Sequence, residues 1–335
     1  MSIAIITGAS SGIGAQFARE LHKLAGIDEF WFIARRTERM EALRYELGVE
    51  AKIIGADLTT KEGIDKLRTA LEEEKPVVRF LVNCAGFGNF GRFDEIPESD
   101  VEAMIDLNVK ASVLITHMTV PYIERGGRII ELGSGSCFTP LPAFNVYSSS
   151  KVFILHYTKA LNYELEKYGI RATCFCPGWV DTEFIGKATA RNNVTEPKAM
   201  KPMLGVEDVV RGCVKASIKG KTMYVTNWYT KLQHLLFKIL PDWILTRLWL
   251  GMLKSPEKKE VPGEVSEIRE AEKMAGGEEN NEETSNSDTS VEVVKEENEW
   301  GTIEVSEACE NEQGGEVIEE KSPKTGVEEG ENGKA

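Results

Sequence analysis

A loop with three glycines lies between the first predicted strand and the first predicted helix. It reads Thr7-Gly8-Ala9-Ser10-Ser11-Gly12-Ile13-Gly14, a G-x-x-x-G-x-G spacing. Glycines permit a tight turn and let a pyrophosphate approach the backbone, and the helix behind them offers N–H groups and the positive end of its dipole. Because a strand precedes the loop and a helix follows it, the pattern favours a nucleotide-phosphate site over a plain turn.

A tyrosine and a lysine, Tyr147 and Lys151, lie four residues apart on one face of a predicted helix. A phenol with a pKa of about 10 exchanges protons poorly near neutrality, and a nearby cation favours the phenolate and lowers that pKa. Ser134 ends a predicted strand, where its hydroxyl can hold a substrate oxygen close to Tyr147. These side chains suit proton transfer to a carbonyl oxygen. Taken singly, the Tyr/Lys pair is also compatible with ordinary helix surface, and Ser134 with a strand cap.

Six segments resemble, in order and spacing, the motifs of the short-chain dehydrogenase/reductase family. The resemblance covers about residues 3–226, nearly all of the foldable chain. The segments are Thr7–Gly14, Asp57-Leu58, Asn83-Cys84-Ala85-Gly86, Asn108 in a long helix, Ser134 with Tyr147-Ser148-Ser149-Ser150-Lys151, and Pro177-Gly178-Trp179-Val180-Asp181-Thr182.

The resemblance implies a catalytic group and a cofactor-binding group of residues. Asn108, Ser134, Tyr147 and Lys151 are the implied catalytic residues, with Asn108 holding a water that relays protons to Lys151. A homodimer or homotetramer is implied as well, and apolar positions such as Met104, Val113 and Phe153 fit such an interface. The predicted cofactor-binding residues are Gly8, Ser10, Ser11, Gly12, Ile13, Gly14, Arg35, Asp57, Leu58, Asn83, Ala85, Gly86, Tyr147, Lys151, Pro177, Gly178, Val180 and Thr182.

The choice between NAD and NADP is encoded after the second predicted strand. An acidic residue there binds the ribose 2′-hydroxyl of NAD, whereas an arginine accommodates the 2′-phosphate of NADP. Here the strand ends Ile33-Ala34-Arg35-Arg36, which places Ala34 at the acidic position and Arg35 where it can meet a phosphate. We therefore expect NADP, with NAD as the alternative.

Bulky apolar residues flank the catalytic motifs and suit an apolar ketone or alcohol, such as a hydroxysteroid or a lipid 3-oxoacyl group. The predicted function is NADP(H)-dependent interconversion of a ketone and a secondary alcohol. The alternative is a nucleotide-binding scaffold without turnover. Residues 186–204 lack an apolar period and are expected to form a mobile lid. The flanking residues are Phe87, Phe90, Cys137, Phe138, Leu141, Phe144, Trp179 and Phe184.

Strand-like and helix-like segments alternate along the body of the chain. Strands are predicted at 3–7, 30–34, 51–55, 77–82, 128–132, 170–176 and 222–226. Ser99 and Glu102 form a capping box that is expected to open one helix running to about residue 124. Buried strands separated by helices predict an α/β fold, a doubly wound parallel β-sheet of the Rossmann type with helices on both faces.

The charge is concentrated at one end of the chain. The whole chain carries a net charge of −14, but residues 255–335 hold 8 basic and 25 acidic residues, which leaves the rest at +3. A near-neutral body argues against a nucleic-acid partner. The tail is too poor in apolar residues to build a core, and we expect it to be disordered. The predicted domains are 1–227 (catalytic), 228–254 (amphipathic helices) and 255–335 (acidic tail).

The segment 228–254 combines leucines at helical spacing with tryptophans, lysines and an arginine, and Pro241 is expected to divide it into two helices. Two interpretations stay open: a lid or packing element that buries its apolar face, or a surface that contacts a membrane. No targeting segment or spanning helix is predicted, and the scattered cysteines predict free thiols without a metal site. The expected location is the cytoplasm, with peripheral membrane contact as the open alternative.

Overall fold

A computed structural model describes residues 1–190 and 194–254, in which strands and helices alternate. A π-helical turn spans Asp106–Ala111, and 3-10 turns span Val120–Tyr122, Gly135–Phe138 and Glu166–Tyr168. The strands are β1 Ser2–Thr7, β2 Glu29–Ala34, β3 Ala51–Gly55, β4 Val77–Asn83, β5 Ile123–Leu132, β6 Arg171–Cys176, β7 Glu196–Pro197, β8 Met223–Val225 and β9 Leu253–Lys254. The helices are α1 Gly12–Leu21, α2 Thr37–Leu47, α3 Lys61–Glu74, α4 Glu98–Ile105, α5 Ser112–Thr119, α6 Asn145–Leu165, α7 Glu183–Ala188, α8 Val206–Ile218, α9 Trp228–Ile239 and α10 Asp242–Gly251.

Seven strands form one parallel sheet in the order β3-β2-β1-β4-β5-β6-β8. In β1, Ala4 and Ile6 face the core beneath α1, α2 and α8, whereas Ile3 and Ile5 face the core beneath α3, α5 and α6. Both faces of the sheet are buried, which is why its strands are near-continuous apolar runs. The predicted fold class, a doubly wound parallel sheet with helices on both faces, is confirmed.

The strand order reverses beside β1. The chain builds outward from β1 to β3, then returns to place β4 on the other side of β1. The connections that leave the carboxyl ends of β1 and β4 therefore diverge and open a crevice at that edge of the sheet. The predicted motifs follow the ends of β1, β2, β3, β4, β5 and β6, and the sheet thus gathers them at one edge.

The helix expected from Ser99 to about residue 124 differs from the prediction in three ways. It begins at Glu98 with Pro97 as its N-cap, so Ser99 lies inside the first turn and forms no capping box. The π-helical turn interrupts the helix in the middle. The helix ends in a 3-10 turn, and β5 begins at Ile123, earlier than predicted, because Ile123 pairs with Val78 of β4.

The region predicted as a mobile lid, residues 186–204, contains regular structure on both sides of residues 191–193, which lie outside the described residues. The end of α7 falls in it, and β7 pairs antiparallel with β9, the last described strand. The predicted domain boundaries stay predictions, and the acidic tail at 255–335 lies outside the described residues.

A buried carboxyl group connects β4, β5 and α5 just below the carboxyl edge of the sheet. Glu131 accepts hydrogen bonds at Oε1 from Asn83 Nδ2 (2.8 Å) and Thr116 Oγ1 (2.6 Å). Its side chain is fully buried, and burial raises its pKa to about 7, although the two hydrogen bonds and Lys151 act in the opposite direction. An acidic residue between the apolar residues Ile130 and Leu132 was the sequence signal for this network.

The raised pKa of Glu131 makes the fold less stable as the pH rises. Between about pH 4.5 and 7 the folded chain keeps a proton that the unfolded chain has lost, so the free energy of unfolding falls through that window. Glu131→Gln keeps the shape without the titration. We expect its stability relative to the native chain to increase by on the order of 1–3 kcal/mol between pH 5 and pH 8, measured by urea unfolding.

Glu72→Gln, at an exposed position on α3, is the control for loss of a carboxylate. Comparison of one variant at two pH values cancels any fixed cost of the amide group. A stability difference that is the same at both pH values would contradict the assignment of Glu131 as a titrating buried group.

Candidate active site

A cavity of about 1030 Å³ opens at the carboxyl edge of the sheet, and its wall extends from the glycine loop to α10. All the predicted site residues line it except Asn83 and Asn108. Asn83 turns its side chain into the Glu131 network, and Asn108 lies behind the loop that follows β4. The cavity therefore brings most of the predicted residues together, with these two asparagines supporting its wall.

The glycine loop has the shape of a phosphate cradle. Gly8 and Gly12 have φ angles of +69° and +53°, in the left-handed region that favours glycine. A Cβ on Gly14 would lie 2.3 Å from the carbonyl oxygen of Gly8, so a side chain there is excluded by close packing. Helix α1 starts at Gly12, and its N-cap Ser11 makes no side-chain capping bond. The loop and the helix N-terminus thus fit a pyrophosphate group.

Two arginines follow β2, and they take different positions. Arg35 is largely exposed at the cavity rim, with Nη1 3.6 Å from Asp57 Oδ2. Arg36 lies across the glycine loop: its Nη2 donates to Ser11 Oγ (2.8 Å) and Ser10 Oγ (3.3 Å). Both arginines line the cavity, but the sequence pattern predicts only Arg35 as a cofactor-binding residue.

An acidic residue balances the charge of Arg36. Glu183, in the first turn of α7, accepts from Arg36 Nη1 at 2.9 Å and also pairs with Arg39. The hydrogen bonds from Arg39 and Arg36 lower the pKa of Glu183 to about 2. The carboxylate therefore stays ionised near neutrality, and it ties α7 to the cation beside the phosphate cradle.

The predicted catalytic hydroxyl groups meet on the cavity wall. Ser134 ends the loop after β5 and hydrogen bonds with the phenol of Tyr147. Its Oγ also accepts from the N–H of Ser136 at 3.1 Å, which fixes the side chain. Tyr147 is buried against the stacked ring of Phe144 (4.4 Å between centroids) and packs near Phe184. Two hydroxyl groups are thus held side by side at the cavity wall, where both could hydrogen bond to one oxygen atom.

Lys151 is fully buried on the turn of α6 after Tyr147. Its Nζ donates to the backbone oxygen of Leu132 (2.8 Å) and lies 5.6 Å from the centre of the Tyr147 ring. Burial lowers the pKa of Lys151 to about 8. The expected lowering of the Tyr147 pKa does not occur: burial raises it above its ordinary range, and the bond with Ser134 offsets only part of the rise. The phenol is therefore neutral near pH 7.

Asn108 lies in the π-helical turn, and its amide holds the loop after β4. Its Oδ1 accepts from the N–H of Phe87 (3.0 Å), and its Nδ2 donates to the carbonyl of Phe87 (2.8 Å) and to Ser150 Oγ (3.2 Å). A Cβ on Gly86 would lie 2.9 Å from Asn108 Oδ1 and 3.5 Å from Lys151 Nζ. Asn108 Oδ1 and Lys151 Nζ thus approach the same side of the Gly86 backbone, which brings the two side chains close together.

Many of the residues that line the cavity beyond the glycine loop are aromatic or aliphatic. Of the residues predicted to flank the substrate, Phe87, Leu141, Phe144, Trp179 and Phe184 line it. The prediction was wrong for three others, which pack into the interior instead: Phe90 stacks beneath Phe144, Cys137 packs against Cys176, and Phe138 packs against His234.

The C-terminal helices α9 and α10 form one wall of the cavity. The sequence alone does not decide between this role and a membrane contact. Trp249 is buried and donates from Nε1 to the carbonyl of Pro142 at 2.8 Å, which fastens α10 over the cavity. Leu245 is buried beside it. Further wall residues from α9, α10 and their junctions are Tyr229, Thr230, Leu232, Gln233, Leu236, Phe237, Leu240, Leu248 and Met252. The inner face of residues 228–254 therefore agrees with the lid interpretation.

Comparisons with known proteins agree with this geometry. The family model of the short chain dehydrogenases matches residues 2–193. A serine 3-dehydrogenase of Rhizobium radiobacter is 33% identical over 193 residues, which are 56% of this chain and 76% of the relative. An uncharacterized oxidoreductase of Staphylococcus epidermidis is 32% identical over 182 residues, which are 54% of this chain and 78% of the relative.

Solved structures show the same architecture with a cofactor bound. A short-chain dehydrogenase from Sphingobium yanoikuyae in complex with NADPH superposes with a TM-score of 0.61 at 25% identity, covering 78% of this chain and 99% of that one. The closed form of a serine dehydrogenase complexed with NADP+ has a TM-score of 0.57 at 28% identity, covering 68% and 94%. Both hold the cofactor class that the sequence predicts.

The family match covers more than half of the chain, and the motifs that it shares meet around one cavity. The chain belongs to the short-chain dehydrogenase family and is an oxidoreductase.

Proposed function

We propose that the chain interconverts a ketone and a secondary alcohol on an apolar substrate of the hydroxysteroid or lipid type, with NADP(H) as cofactor. The observation that carries the proposal is the cavity itself. One end is the phosphate cradle with Arg36, the middle presents the hydroxyl groups of Ser134 and Tyr147, and the far end is lined by aromatic and aliphatic side chains. The cavity thus offers one surface for the cofactor, one for the reacting oxygen of the substrate and one for the apolar part of the substrate.

The glycine loop and Arg36 would hold the diphosphate and the 2′-phosphate of the cofactor. Asp57, fixed by hydrogen bonds from Thr59 N (3.0 Å) and Oγ1 (2.7 Å), lies at the adenosine end. When bound, the nicotinamide supplies or accepts a hydride. The bidentate guanidinium geometry of an arginine suits a phosphate, which supports NADP over NAD.

The protein's own contribution is proton transfer to the substrate oxygen. In the reduction direction Tyr147 donates its phenolic proton, and its raised pKa keeps that proton in place near pH 7. Ser134 donates a hydrogen bond that holds the oxygen next to Tyr147. Lys151 and Asn108 lie behind the tyrosine, where they form the path that returns the proton. Since phenolate formation is costly here, oxidation of the alcohol should accelerate as the pH rises, whereas reduction should not.

Tyr147→Phe tests the proton donor. The variant removes the hydroxyl group and little volume, so the ring should keep its contact with Phe144. We expect kcat for ketone reduction to fall at least about 100-fold, with the dissociation constant of NADPH nearly unchanged by cofactor fluorescence. Tyr163→Phe, an exposed position on the same helix, is the matched control. Near-native kcat in the Tyr147 variant would refute the mechanism.

Arg35 and Arg36 should set the preference for NADPH. Loss of a phosphate partner raises KM for NADPH by about ten- to a hundredfold and leaves KM for NADH nearly unchanged. Arg36→Ala should show this effect because Arg36 contacts the cradle, and Arg35→Ala should show it if the rim arginine also reaches the phosphate. Arg44→Ala, on the exposed side of α2, is the control. Equal effects on both cofactors would place the phosphate elsewhere.

We also propose that the chain forms a homodimer or homotetramer through the helices next to the site. Phe153 is exposed on α6 and supports such an interface, and Tyr163 is exposed on the same helix. Met104 does not support it, because its side chain is fully buried within the chain.

Light scattering at micromolar concentration should give at least twice the mass of one chain. Phe153→Glu should shift the mass toward the monomer, because a buried carboxylate at an interface is costly. The control is Tyr45→Glu, which introduces the same charge at an exposed aromatic on α2. A monomeric native protein would contradict the proposal.

A further inference from the structure

The outer side of α9 carries an apolar stripe that faces solvent. Trp228, Leu232, Leu235 and Ile239 recur at helical spacing, and Trp228, Leu235 and Ile239 are 75%, 54% and 69% exposed. An apolar stripe at this spacing normally faces a core. Here most of it is exposed, although the Trp228 ring meets that of Tyr229 edge-on and Leu232 also lines the cavity.

Helix α10 extends the same surface. Trp243 and Leu248 are 66% and 62% exposed, and Leu250 is about half exposed. Scattered apolar residues are normal on a protein surface, but several large exposed apolar residues on two consecutive helices, two of them tryptophans, indicate a binding surface. We refer to the outward residues Trp228, Leu235, Ile239, Trp243 and Leu250 as the apolar face.

The orientation of these helices is fixed from the inner side. Thr230 is buried against the loops after β5 and β6, and the His234 ring packs against that of Phe138 at 3.9 Å between centroids, tilted by 42°. Trp249 is held by the carbonyl of Pro142. Rotation of α9 to bury its leucines would break these contacts. The apolar face therefore remains exposed in the folded chain.

The charges around the apolar face indicate what it meets. Lys231, Lys238 and Arg247 are exposed beside it, and none forms an ion pair with another described residue. Asp242 is the single acidic residue of 228–254. A second copy of the chain would bring like charges together across the contact. An anionic lipid surface offers phosphates to the cations and a headgroup layer to the tryptophans.

No helix among the described residues is long and apolar enough to cross a bilayer, so the contact would lie in the plane of the interface. The mouth of the cavity is part of the same region. Leu232, Leu236, Leu248 and Met252 line the cavity and are also exposed. A protein covering the apolar face would close this rim, whereas a lipid layer leaves it in contact with apolar molecules.

We propose that α9 and α10 dock the enzyme on an anionic membrane surface, with the cavity mouth toward the lipid. The proposal of docking depends only on the exposed residues of α9 and α10. The uptake of an apolar substrate from the lipid rests on the proposed function.

Vesicle flotation of the full chain tests the docking. The full chain is used so that the acidic residues 255–335 act on binding as they do in the native protein. We expect it to float with phosphatidylcholine vesicles that contain phosphatidylglycerol, and more weakly with phosphatidylcholine alone. Brominated lipid should quench its tryptophan emission.

Two sets of variants separate the apolar and the charged contributions. W228S/W243S should lower the partition coefficient at least about tenfold and remove most of the bromide quenching. K231E/K238E/R247E should lower binding to the anionic vesicles by more than about fivefold per residue, because each exchange reverses a charge. These side chains do not line the cavity. The matched control is Y45S/F93S, which removes two exposed aromatics elsewhere.

Failure of the native chain to float overturns the proposal, as does equal loss of binding in the control. A drop in solution mass in W228S/W243S, with no vesicle binding by the native chain, would assign the face to a second copy instead. Ketone reduction with NADPH in the absence of vesicles tests the proposed function separately, so each idea can fail alone.

Discussion

The burial of Lys151 is the constraint on which the site depends. Removing an ammonium group from water is costly unless the group is hydrogen bonded, and here Lys151 Nζ donates a hydrogen bond to the carbonyl of Leu132 at the end of β5. That bond fastens α6 to the sheet one turn beyond Tyr147. Because the tyrosine ring is at the same time packed against Phe144, its hydroxyl has little freedom to leave Ser134. The position of the Tyr147 hydroxyl is therefore set in part by a polar contact between α6 and the sheet.

Burial at the site shifts the pKa values of neighbouring groups in opposite directions. It raises the pKa of Tyr147 and Glu131 and lowers that of Lys151, which in each case favours the uncharged form. Glu131 and Lys151 also influence each other, since each favours the charged form of the other.

The arrangement of the sheet and most of the site could be predicted from the sequence. Buried parallel strands leave an unbroken apolar signal, and motifs that follow consecutive strands meet at one edge whatever the details of packing. The choice between Arg35 and Arg36 could not be predicted in the same way, because a shift of one residue at the end of β2 decides which side chain crosses the glycine loop. The π-helical turn around Asn108 likewise depends on tertiary hydrogen bonds to Phe87.

The side of α9 that faces the body of the protein could not be predicted from the sequence either. Periodicity defines an apolar stripe but does not state which side of the helix meets the body of the protein. Thr230 and His234, which are weaker signals than leucine, supply the inner contacts. The leucine periodicity of α9 favours burial of one side of the helix, whereas tertiary packing buries the side that carries Thr230 and His234. The packing decides the orientation of the helix.

The wall formed by α9 and α10 lies outside the residues that the family model matches, which end at 193. The proposed cofactor-binding and proton-transfer residues thus lie in one stretch of the chain, and much of the proposed substrate wall lies in another. Mutations in the later stretch can reshape what the enzyme accepts without altering how it reacts. Divergence in substrate range among related enzymes should accumulate there first, at little cost to folding of the sheet.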